Sequence, residues 1–425
     1  MILGLYRGAT ALLSPFVHLF LGRRRAHGKE SAERFPERLG LPSAERPDGP
    51  LVWMHAASVG EALSLLPLIE AIAEGWPRVS QLVTTGTVTS ADLMGRRLPR
   101  DVIHQFVPVD LPKAVARFVD YWRPGLAIFV ESEIWPNLLV AARASGAELA
   151  LVNGRVSPRS FRRWRRLPGL ARQLFGGFAI AFGQTEADAE RLRVLGAAGA
   201  VCVGNLKYAA PPLPADAGEL AALAGAIGAR PAWIAASTHP GEDASAARAH
   251  RALRARFPDL LTLVAPRHPE RGDAAAAEIA ELGLSVVRRS AGDLPGPETD
   301  VYLCDTLGEM GVFYRAAAIA VMGKSWIGEG GQNPLEPARL GCAVAFGPHM
   351  ENFGVMAARM EAAGAACRFA DEADLARAVG DLLGAPARAR AVADAAAAFA
   401  TAEAASAARV LDRLRPALDA LERGR

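Results

Sequence analysis

Apolar runs of β-strand length alternate with helical patterns from residue 50 almost to the end of the chain. Strands that alternate with helices of about ten or more residues form βαβ units, whose strands are parallel. The alternation therefore predicts an α/β protein built on parallel sheets. The predicted strands are 50–57, 81–85, 103–108, 126–131, 148–153, 179–184 and 200–204, then 232–237, 260–265, 284–288, 301–304, 318–323, 343–347 and 366–370.

The length of the chain and a proline-rich linker predict two domains. A chain of 425 residues is too long for one ordinary hydrophobic core. The linker at 209–214 separates the two sets of strands. We expect two doubly wound, Rossmann-like domains that face each other across a cleft. Their predicted bounds are 49–209 and 210–425, the second including the alanine-rich C-terminal helices, and residues 1–48 precede them.

Composition excludes several classes of function. The formal net charge is only +3, which argues against a nucleic-acid partner. No G-x-G-x-x-G follows an early strand, which argues against a nicotinamide or flavin enzyme. The eight histidines are scattered, so we predict no tightly held zinc. The four cysteines are also far apart and are expected to be reduced, as in a cytosolic protein; they are Cys202, Cys304, Cys342 and Cys367.

The first turn from a strand into a helix carries an acid. Ser58 and Gly60 allow a tight turn there, and Glu61 lies where the helix begins. Ligands of open α/β sheets gather beyond the carboxyl ends of strands, so this carboxylate is a candidate catalytic group. The alternative is that Glu61 only complements the helix dipole. A similar turn at 237–242 in the second half suggests two similar domains.

Three loops of the second half offer groups that suit a nucleotide. Asn333-Pro334-Leu335-Glu336 is typical of a capped helix start, and capping alone would explain it. The glycine-rich segment 328–331 also lets the backbone approach a ligand, so that Glu336 could accept hydrogen bonds from ribose hydroxyls. Arg267 ends another strand and can grip a phosphate through two hydrogen bonds. Leu307-Gly308-Glu309 ends a third.

The N-terminal segment is amphiphilic. Residues 1–21 are mostly apolar, with Arg7, Pro15 and His18 among them, and three arginines follow at 23–25. The segment lacks a signal-peptide cleavage site and is marginal for a spanning helix. We expect a helix in or on the membrane, with its basic residues at the headgroups on the cytoplasmic side. The alternative is an ordinary helix that packs its apolar face on the domain.

A second basic segment lies at 155–166. It combines Phe161 and Trp164 with six arginines, namely Arg155, Arg159, Arg162, Arg163, Arg165 and Arg166. A solvated helix face explains such a run. A lipid acceptor that carries phosphates, or an anionic membrane surface, is the alternative explanation.

Taken together, these segments resemble the 3-deoxy-D-manno-octulosonic acid (Kdo) transferase family, which glycosylates the lipid A precursor in Gram-negative bacteria. The resemblance covers nearly the whole chain. One departure is Lys324, where the family pattern has glycine. The segments that carry it, in order, are Ser58–Glu61, Glu131–Asn137, Asn153–Arg155 with Ser157, Gly204–Lys207, Ser237–His239 with Gly241 and Glu242, Pro266–Arg271 and Asn333–Glu336.

The resemblance implies a GT-B fold and transfer of Kdo from CMP-Kdo to the lipid A precursor (lipid IVA) in lipopolysaccharide biosynthesis, at the cytoplasmic side of the cell inner membrane. It implies that Glu61 is the catalytic base and that Glu131 and Lys207 support the transition state. The implied CMP-binding residues are Pro266, Arg267, Leu307, Gly308, Glu309, Asn333, Pro334, Leu335 and Glu336.

The charges of donor and protein favour a particular mechanism. A base on the face opposite the leaving phosphate predicts direct displacement with inversion. Arg267 and helix N-termini would meet the developing charge on the phosphate, so we expect neither a metal nor a cofactor.

Two other functions remain possible. A sugar-nucleotide 2-epimerase can share this architecture but acts on a soluble UDP-sugar, and the N-terminal segment argues against it. A non-catalytic membrane-associated scaffold that has kept a nucleotide fold is the other. A scaffold without activity would be expected to lose its catalytic and binding residues. This chain retains the candidate residues Glu61, Glu131, Arg267 and Glu336.

Overall fold

Each half of the chain folds around a parallel sheet of seven strands. The computed structural model describes residues 2–209 and 212–424. Met1 of the N-terminal segment and the linker residues Ala210 and Pro211 lie outside that range. The described residues form two units: unit 1 runs to residue 209 and includes 403–424, and unit 2 is 212–402.

The strands of unit 1 have the order β3-β2-β1-β4-β5-β6-β7. Strands β2 and β3 are added on one side of β1, and β4 to β7 are added on its other side. The boundary between β1 and β4 is therefore the topological switch point, where ligands of such sheets bind. The strands are β1 (Leu51–Ala56), β2 (Ser80–Thr85), β3 (Ile103–Phe106), β4 (Leu126–Val130), β5 (Glu148–Gly154), β6 (Ile180–Gly183) and β7 (Val201–Cys202).

Helices cover both faces of this sheet. Alternate residues of β1 point to opposite faces, so Trp53 joins one apolar core and Met54 the other. The helices before the linker are α1 (Ile2–Leu12), α2 (Ser14–Ala26), α3 (Val59–Gly75), α4 (Val88–Arg97), α5 (Pro112–Trp122), α6 (Pro136–Ala144), α7 (Pro158–Trp164), α8 (Pro168–Phe175) and α9 (Glu186–Leu195). A short 3-10 helix, Leu206–Ala209, ends the segment.

Unit 2 repeats the plan, with its strands in the order β10-β11-β9-β8-β12-β13-β14. Its switch point lies between β8 and β12. The strands are β8 (Ala232–Thr238), β9 (Leu261–Pro266), β10 (Val286–Arg288), β11 (Val301–Leu303), β12 (Ile319–Met322), β13 (Ala343–Phe346) and β14 (Cys367–Arg368). All fourteen predicted strands are therefore confirmed, with small shifts at their ends.

The helices of unit 2 pack on both faces of its sheet, as Trp233 and Ile234 of β8 enter different apolar cores. They are α10 (Ala217–Ile227), α11 (Glu242–Leu253), α12 (Gly272–Ala280), α13 (Met310–Ala316), α14 (Leu335–Ala338), α15 (Gly354–Ala362), α16 (Glu372–Leu383) and α17 (Pro386–Ala404). Two parallel doubly wound sheets confirm the predicted fold class.

The last helix corrects the predicted domain division, which placed all C-terminal helices in the second domain. In the structure α18 (Ser406–Glu422) belongs to unit 1. It is amphipathic, and Val410, Leu414 and Leu418 enter the core that α3 and the first sheet form. The indole Nε1 of Trp76 donates to Asp419 Oδ1 at 2.7 Å. Alanine-rich composition predicted a helix here but could not show which core its apolar face would join.

The N-terminal segment forms two helices and not one. Leu3 of α1 packs in a small apolar cluster with Leu170 and Leu174, while most of the other large apolar side chains are exposed. Those more than half exposed are Leu5, Leu12, Leu13, Phe16, Leu19 and Phe20. Within the described residues, no helix combines the length and the apolar character that crossing a membrane requires.

Polar contacts also join α1 to unit 1. The hydroxyl of Tyr6 donates to Asp110 Oδ2 at 2.9 Å, and the side-chain amide of Asn137 donates to Thr10 Oγ1 at 3.2 Å. The helix is therefore part of the folded unit, in addition to any role as an anchor.

We expect Tyr6→Phe to lower the free energy of unfolding by about 1.5 kcal/mol, because a carboxylate that is largely removed from water loses a donor. Urea unfolding followed by circular dichroism measures this. Leu5→Ala is the matched control: it lies on the same helix, is 67% exposed and should change stability by less than about 0.5 kcal/mol. Equal stability of Tyr6→Phe and the wild type would show that the bond from Tyr6 to Asp110 does not stabilise the fold.

Candidate functional site

Glu61 lies at the switch point of unit 1, in the first turn of α3. The side chain of Ser58 caps the helix and accepts from the Glu61 N–H at 3.3 Å. The Glu61 carboxylate in turn accepts from Ala57 N at 2.9 Å and from Ser58 Oγ at 2.8 Å. This is a capping box. It fixes the carboxylate, and its 9% exposure leaves a small accessible surface.

Glu131 and Lys207 meet beside it. Lys207 Nζ lies 2.5 Å from Glu131 Oε1. A Cβ built on Gly60 would lie 3.7 Å from Lys207 Cε, so the lysine passes directly over the start of α3. The structure therefore brings together all three residues for which the sequence implied catalytic roles.

Asn153 holds this group together, and we did not single it out as a site residue from the sequence. Its Oδ1 accepts from Leu206 N at 3.0 Å, and its Nδ2 lies 3.5 Å from Glu131 Oε1. It thereby fixes the segment that carries Lys207. Asn153 has a φ of 54° and Glu131 a φ of 57°, an uncommon region that often marks functional sites. The sequence feature that could have indicated Asn153 is the segment Asn153–Arg155, one of those that carry the family resemblance.

Burial is the largest influence on the pKa of Glu61. Burial raises the pKa of its carboxyl above the usual range, and the charges of Glu131 and Glu133 add to this, while the bonds from Ala57 and Ser58 oppose it. Burial acts upward on the pKa of Glu133 too, but the hydrogen bond and charge of His55 hold that pKa below its usual range. A glutamate with a raised pKa is a stronger base, as general-base catalysis requires.

The switch point of unit 2 is built around Glu242. This fully buried carboxylate accepts at 2.7–3.5 Å from five backbone N–H groups, those of His239, Lys324, Ser325, Trp326 and Ile327. It thus ties the loop after β8 to the loop after β12. Its capacity as an acceptor is used within the protein, so we assign it a structural role.

Arg267 and Glu336 lie close enough to interact electrostatically. Burial raises the pKa of Glu336, opposed by a hydrogen bond from Asn333 and by the positive charges of Arg267 and Arg339. Asn333 Oδ1 accepts from Leu335 N at 3.1 Å, and its Nδ2 donates to Glu336 Oε1 at 3.3 Å. The side chain of Arg267 is exposed. An exposed cation therefore lies near a carboxylate whose position its own loop fixes.

In the predicted CMP-binding segment 307–309, the first two residues are exposed and the third is partly buried. Leu307 and Gly308 are exposed. Glu309 is bound by Arg289, whose Nη2 lies 2.5 Å from its Oε1, and by the Thr306 hydroxyl. The hydrogen bond from Arg289 holds the pKa of Glu309 below its usual range. A ligand would have to share this carboxylate with Arg289, which the sequence could not reveal. Pro266, Pro334 and Leu335 are buried and shape their loops.

Residues 2–209 and 212–424 contain no group of three or more histidine, cysteine, aspartate or glutamate side chains placed to hold a metal ion. The four cysteines are free thiols.

Sequence comparison shows what the chain is similar to. Residues 33–210 match the family model described as "3-Deoxy-D-manno-octulosonic-acid transferase (kdotransferase)". The 3-deoxy-D-manno-octulosonic acid transferase of Bordetella pertussis is 40% identical over 97% of this chain and 98% of its own. That of Haemophilus influenzae is 31% identical over the same two shares. A probable mitochondrial 3-deoxy-D-manno-octulosonic acid transferase of Arabidopsis thaliana is 37% identical over 84% of this chain and 82% of its own.

Solved structures share the fold at low sequence identity. A glycosyltransferase from Rickettsia africae has a TM-score of 0.58 and 10% identity, over 87% of this chain and 99% of its own. The UDP-GlcNAc 2-epimerase of Neisseria meningitidis has a TM-score of 0.55 and 12% identity, over 86% of this chain and 100% of its own. These likenesses concern the fold alone.

We expect Glu242→Gln to destabilise unit 2 by about 1.5–3 kcal/mol, because an amide puts N–H groups where a charged acceptor met five donors. Thermal unfolding and faster hydrogen exchange at 324–327 would both report it. Glu270→Gln, at an exposed position of the same unit, is the control and should behave as wild type. A stable Glu242→Gln protein with altered catalysis would instead place Glu242 in the chemistry.

Proposed function

We propose that this chain, which belongs to the 3-deoxy-D-manno-octulosonic acid transferase family, takes Kdo from CMP-Kdo and transfers it with inversion to the lipid A precursor of lipopolysaccharide. The observation that carries the proposal is the meeting of Glu61, Glu131 and Lys207 at the switch point of unit 1 in a glycosyltransferase of this family. The 2-epimerase alternative has only a likeness of fold behind it, at 12% identity.

Glu61 acts as the base in this proposal. Its carboxylate takes the proton of the acceptor hydroxyl as that oxygen attacks the anomeric carbon of Kdo. The bond from this carbon to the phosphate oxygen breaks, and CMP leaves with the electron pair. General-base assistance of this kind contributes roughly 10²–10⁴ in rate. The capping box supports the role because it holds the base in one orientation, and the raised pKa of Glu61 increases its basicity.

Lys207 and Glu131 support the transition state. An ammonium group has three N–H donors, and the bond to Glu131 uses one of them. The lysine side chain is 39% exposed, so further donors can meet the carboxylate that Kdo carries at its anomeric carbon. The ion pair with Glu131 holds the lysine in place over Gly60.

Unit 2 binds the donor in this proposal. Arg267 meets the phosphate with a charge-assisted hydrogen bond, and Glu336 accepts from the ribose hydroxyls. The exposed Leu307-Gly308 backbone contributes to the nucleotide site. The positive charge of Arg267 offsets the negative charge that develops on the leaving CMP, so the proposal includes neither a metal nor a cofactor.

The proposed location is the cytoplasmic face of the inner membrane. The exposed leucines and phenylalanines of α1 and α2 form an apolar surface, and three arginines lie in the last turn of α2. Apolar side chains next to basic ones suit the interface of an anionic bilayer. The basic segment 155–166, which is largely exposed, would add to the attraction.

Purified protein incubated with CMP-Kdo and lipid IVA should release CMP and give a product whose mass has increased by Kdo. Glu61→Gln should lower this transfer by two orders of magnitude or more, since an amide cannot take the proton, while CMP binding persists. Asp188→Asn is the matched control, because Thr185 and Asp188 form an equivalent capping arrangement at the start of α9. A Glu61→Gln enzyme as fast as Asp188→Asn would exclude Glu61 as the base.

Arg267→Ala should weaken CMP-Kdo binding by about tenfold or more, the value of a charge-assisted hydrogen bond. Titration calorimetry with CMP measures the loss without turnover. Arg251→Ala, an exposed position on α11, should bind CMP as the wild type does. Unchanged affinity in Arg267→Ala would remove Arg267 from the donor site.

A further inference from the structure

Three neighbouring strands of the second sheet are followed by basic residues. In that sheet β8 lies between β9 and β12. Arg267 follows β9, His239 follows β8, and Lys324 lies two residues after β12. The carboxyl ends of parallel strands meet at one edge of a sheet, where ligands bind. The proposed donor site uses only the first of these three residues.

Backbone hydrogen bonds show that the three residues are close together. The N–H groups of His239 and Lys324 both donate to Glu242 Oε2, at 2.9 and 2.7 Å. The N–H of Arg267 donates to the carbonyl of Thr238, the residue before His239, at 2.9 Å. Because two of the residues share one acceptor oxygen and the third is bonded next to them, a small ligand at this edge can reach all three.

The backbone holds Lys324 in a strained conformation. Its φ is 57°, a left-handed value that is uncommon for residues other than glycine. Glu242 binds its N–H, and its carbonyl accepts from Gly331 N at 2.8 Å. Glycine would adopt this conformation without strain, so a lysine here costs stability. Strain that the surrounding structure maintains in this way often marks a functional residue.

The ammonium group of Lys324 has no partner in the part of the chain that the structure describes. No carboxylate lies within ion-pair distance of it, and the same holds for the side chain of Arg267. The two buried acids at the start of α11 are already bound. Glu242 accepts from five N–H groups, as described above, and Asp243 is paired with Arg271 at 2.7 Å. The charge of Lys324 is therefore available to a ligand.

Four basic side chains lie close enough to His239 to change its pKa. Burial lowers this pKa most, and the charges of Lys324, His268, Arg271 and Arg267 lower it further. No carboxylate acts against them, so the field at this edge of the sheet is positive. Such a field attracts anions, and most strongly an anion with two negative charges.

We propose that Lys324 is a second cation of the donor site, whose ammonium group binds the phosphate of CMP together with Arg267. The inference rests on the proposed function, because it concerns the same donor. When the bond from the anomeric carbon to the phosphate oxygen breaks, CMP leaves with the electron pair. The phosphate thereby changes from a singly charged diester to a doubly charged monoester. Lys324 binds the doubly charged form more tightly, so it stabilises the charge that develops as the bond breaks.

Two substitutions separate the charge of Lys324 from its backbone strain. Lys324→Gly removes both, whereas Lys324→Met removes the charge and keeps a side chain of similar length. CMP affinity, measured by titration calorimetry on the full chain, should fall about tenfold or more in both variants. Affinity for cytidine, which lacks the phosphate, should be unchanged. The kcat/KM for transfer from CMP-Kdo to lipid IVA should also fall about tenfold or more.

Arg123→Gly is the matched control. Arg123 is also a basic residue with a left-handed φ, of 43°, but it lies in unit 1, and its replacement should keep the wild-type CMP affinity. Lys324→Gly should melt at the wild-type temperature or above it, because glycine relieves the strain. A loss of CMP affinity in this variant is then not a result of unfolding.

Unchanged CMP affinity in Lys324→Gly and Lys324→Met would overturn the inference and leave the proposed function intact. An equal loss of affinity for cytidine and CMP would also overturn it, because the lysine would then shape the site and not bind the phosphate. A loss in Lys324→Gly alone would do the same, since the charge would not be its cause. A wild type that binds CMP but transfers no Kdo would instead contradict the proposed function.

Discussion

A buried glutamate in the first turn after the leading strand of each sheet organises both units. Glu61 accepts from Ala57 N after β1, and Glu242 accepts from His239 N after β8. The same local device has two outcomes. Glu242 takes four further N–H groups from the loop after β12 and joins the two sides of its switch point. Glu61 takes only one further donor, the hydroxyl of Ser58. Its carboxylate can therefore still accept a proton, and the neighbouring charges of Glu131 and Glu133 favour this.

Backbone strain concentrates at the same places. In the described chain, five residues other than glycine have a positive φ, and four of them follow or end strands near a switch point: Glu131, Asn153, Ser237 and Lys324. Such residues need support from their surroundings. For Asn153 it comes from the Leu206 N–H, and for Lys324 from the bond of its N–H to Glu242. The φ of Lys324 is 57°, in a region that glycine enters more readily than other residues.

The periodicity of the sequence predicted the strands and the fold class because each buried strand is an apolar run. Local motifs placed Glu61 and Arg267 at strand ends, since a parallel sheet brings those ends to one edge. Three features were not predictable, because long-range packing decides them. The apolar face of α18 found the core of unit 1, Arg289 captured Glu309, and Asn153 connected Glu131 to the segment of Lys207. No sequence spacing encodes these pairings.

In the proposed reaction, ionised Glu61, held by its capping box, removes the proton of the acceptor hydroxyl. This role of Glu61 is tested most directly by the pH dependence of kcat/KM for transfer, measured in wild type, Ser58→Ala and Ser157→Ala. Ser157→Ala removes the equivalent cap of α7 and is the control. Wild type should lose rate as the pH falls through a pKa above the glutamate value of about 4.3. Because the Ser58 bond lowers the pKa of Glu61, Ser58→Ala should move this acid limb to higher pH, and Ser157→Ala should not. An acid limb at the same pH in all three proteins would contradict the account.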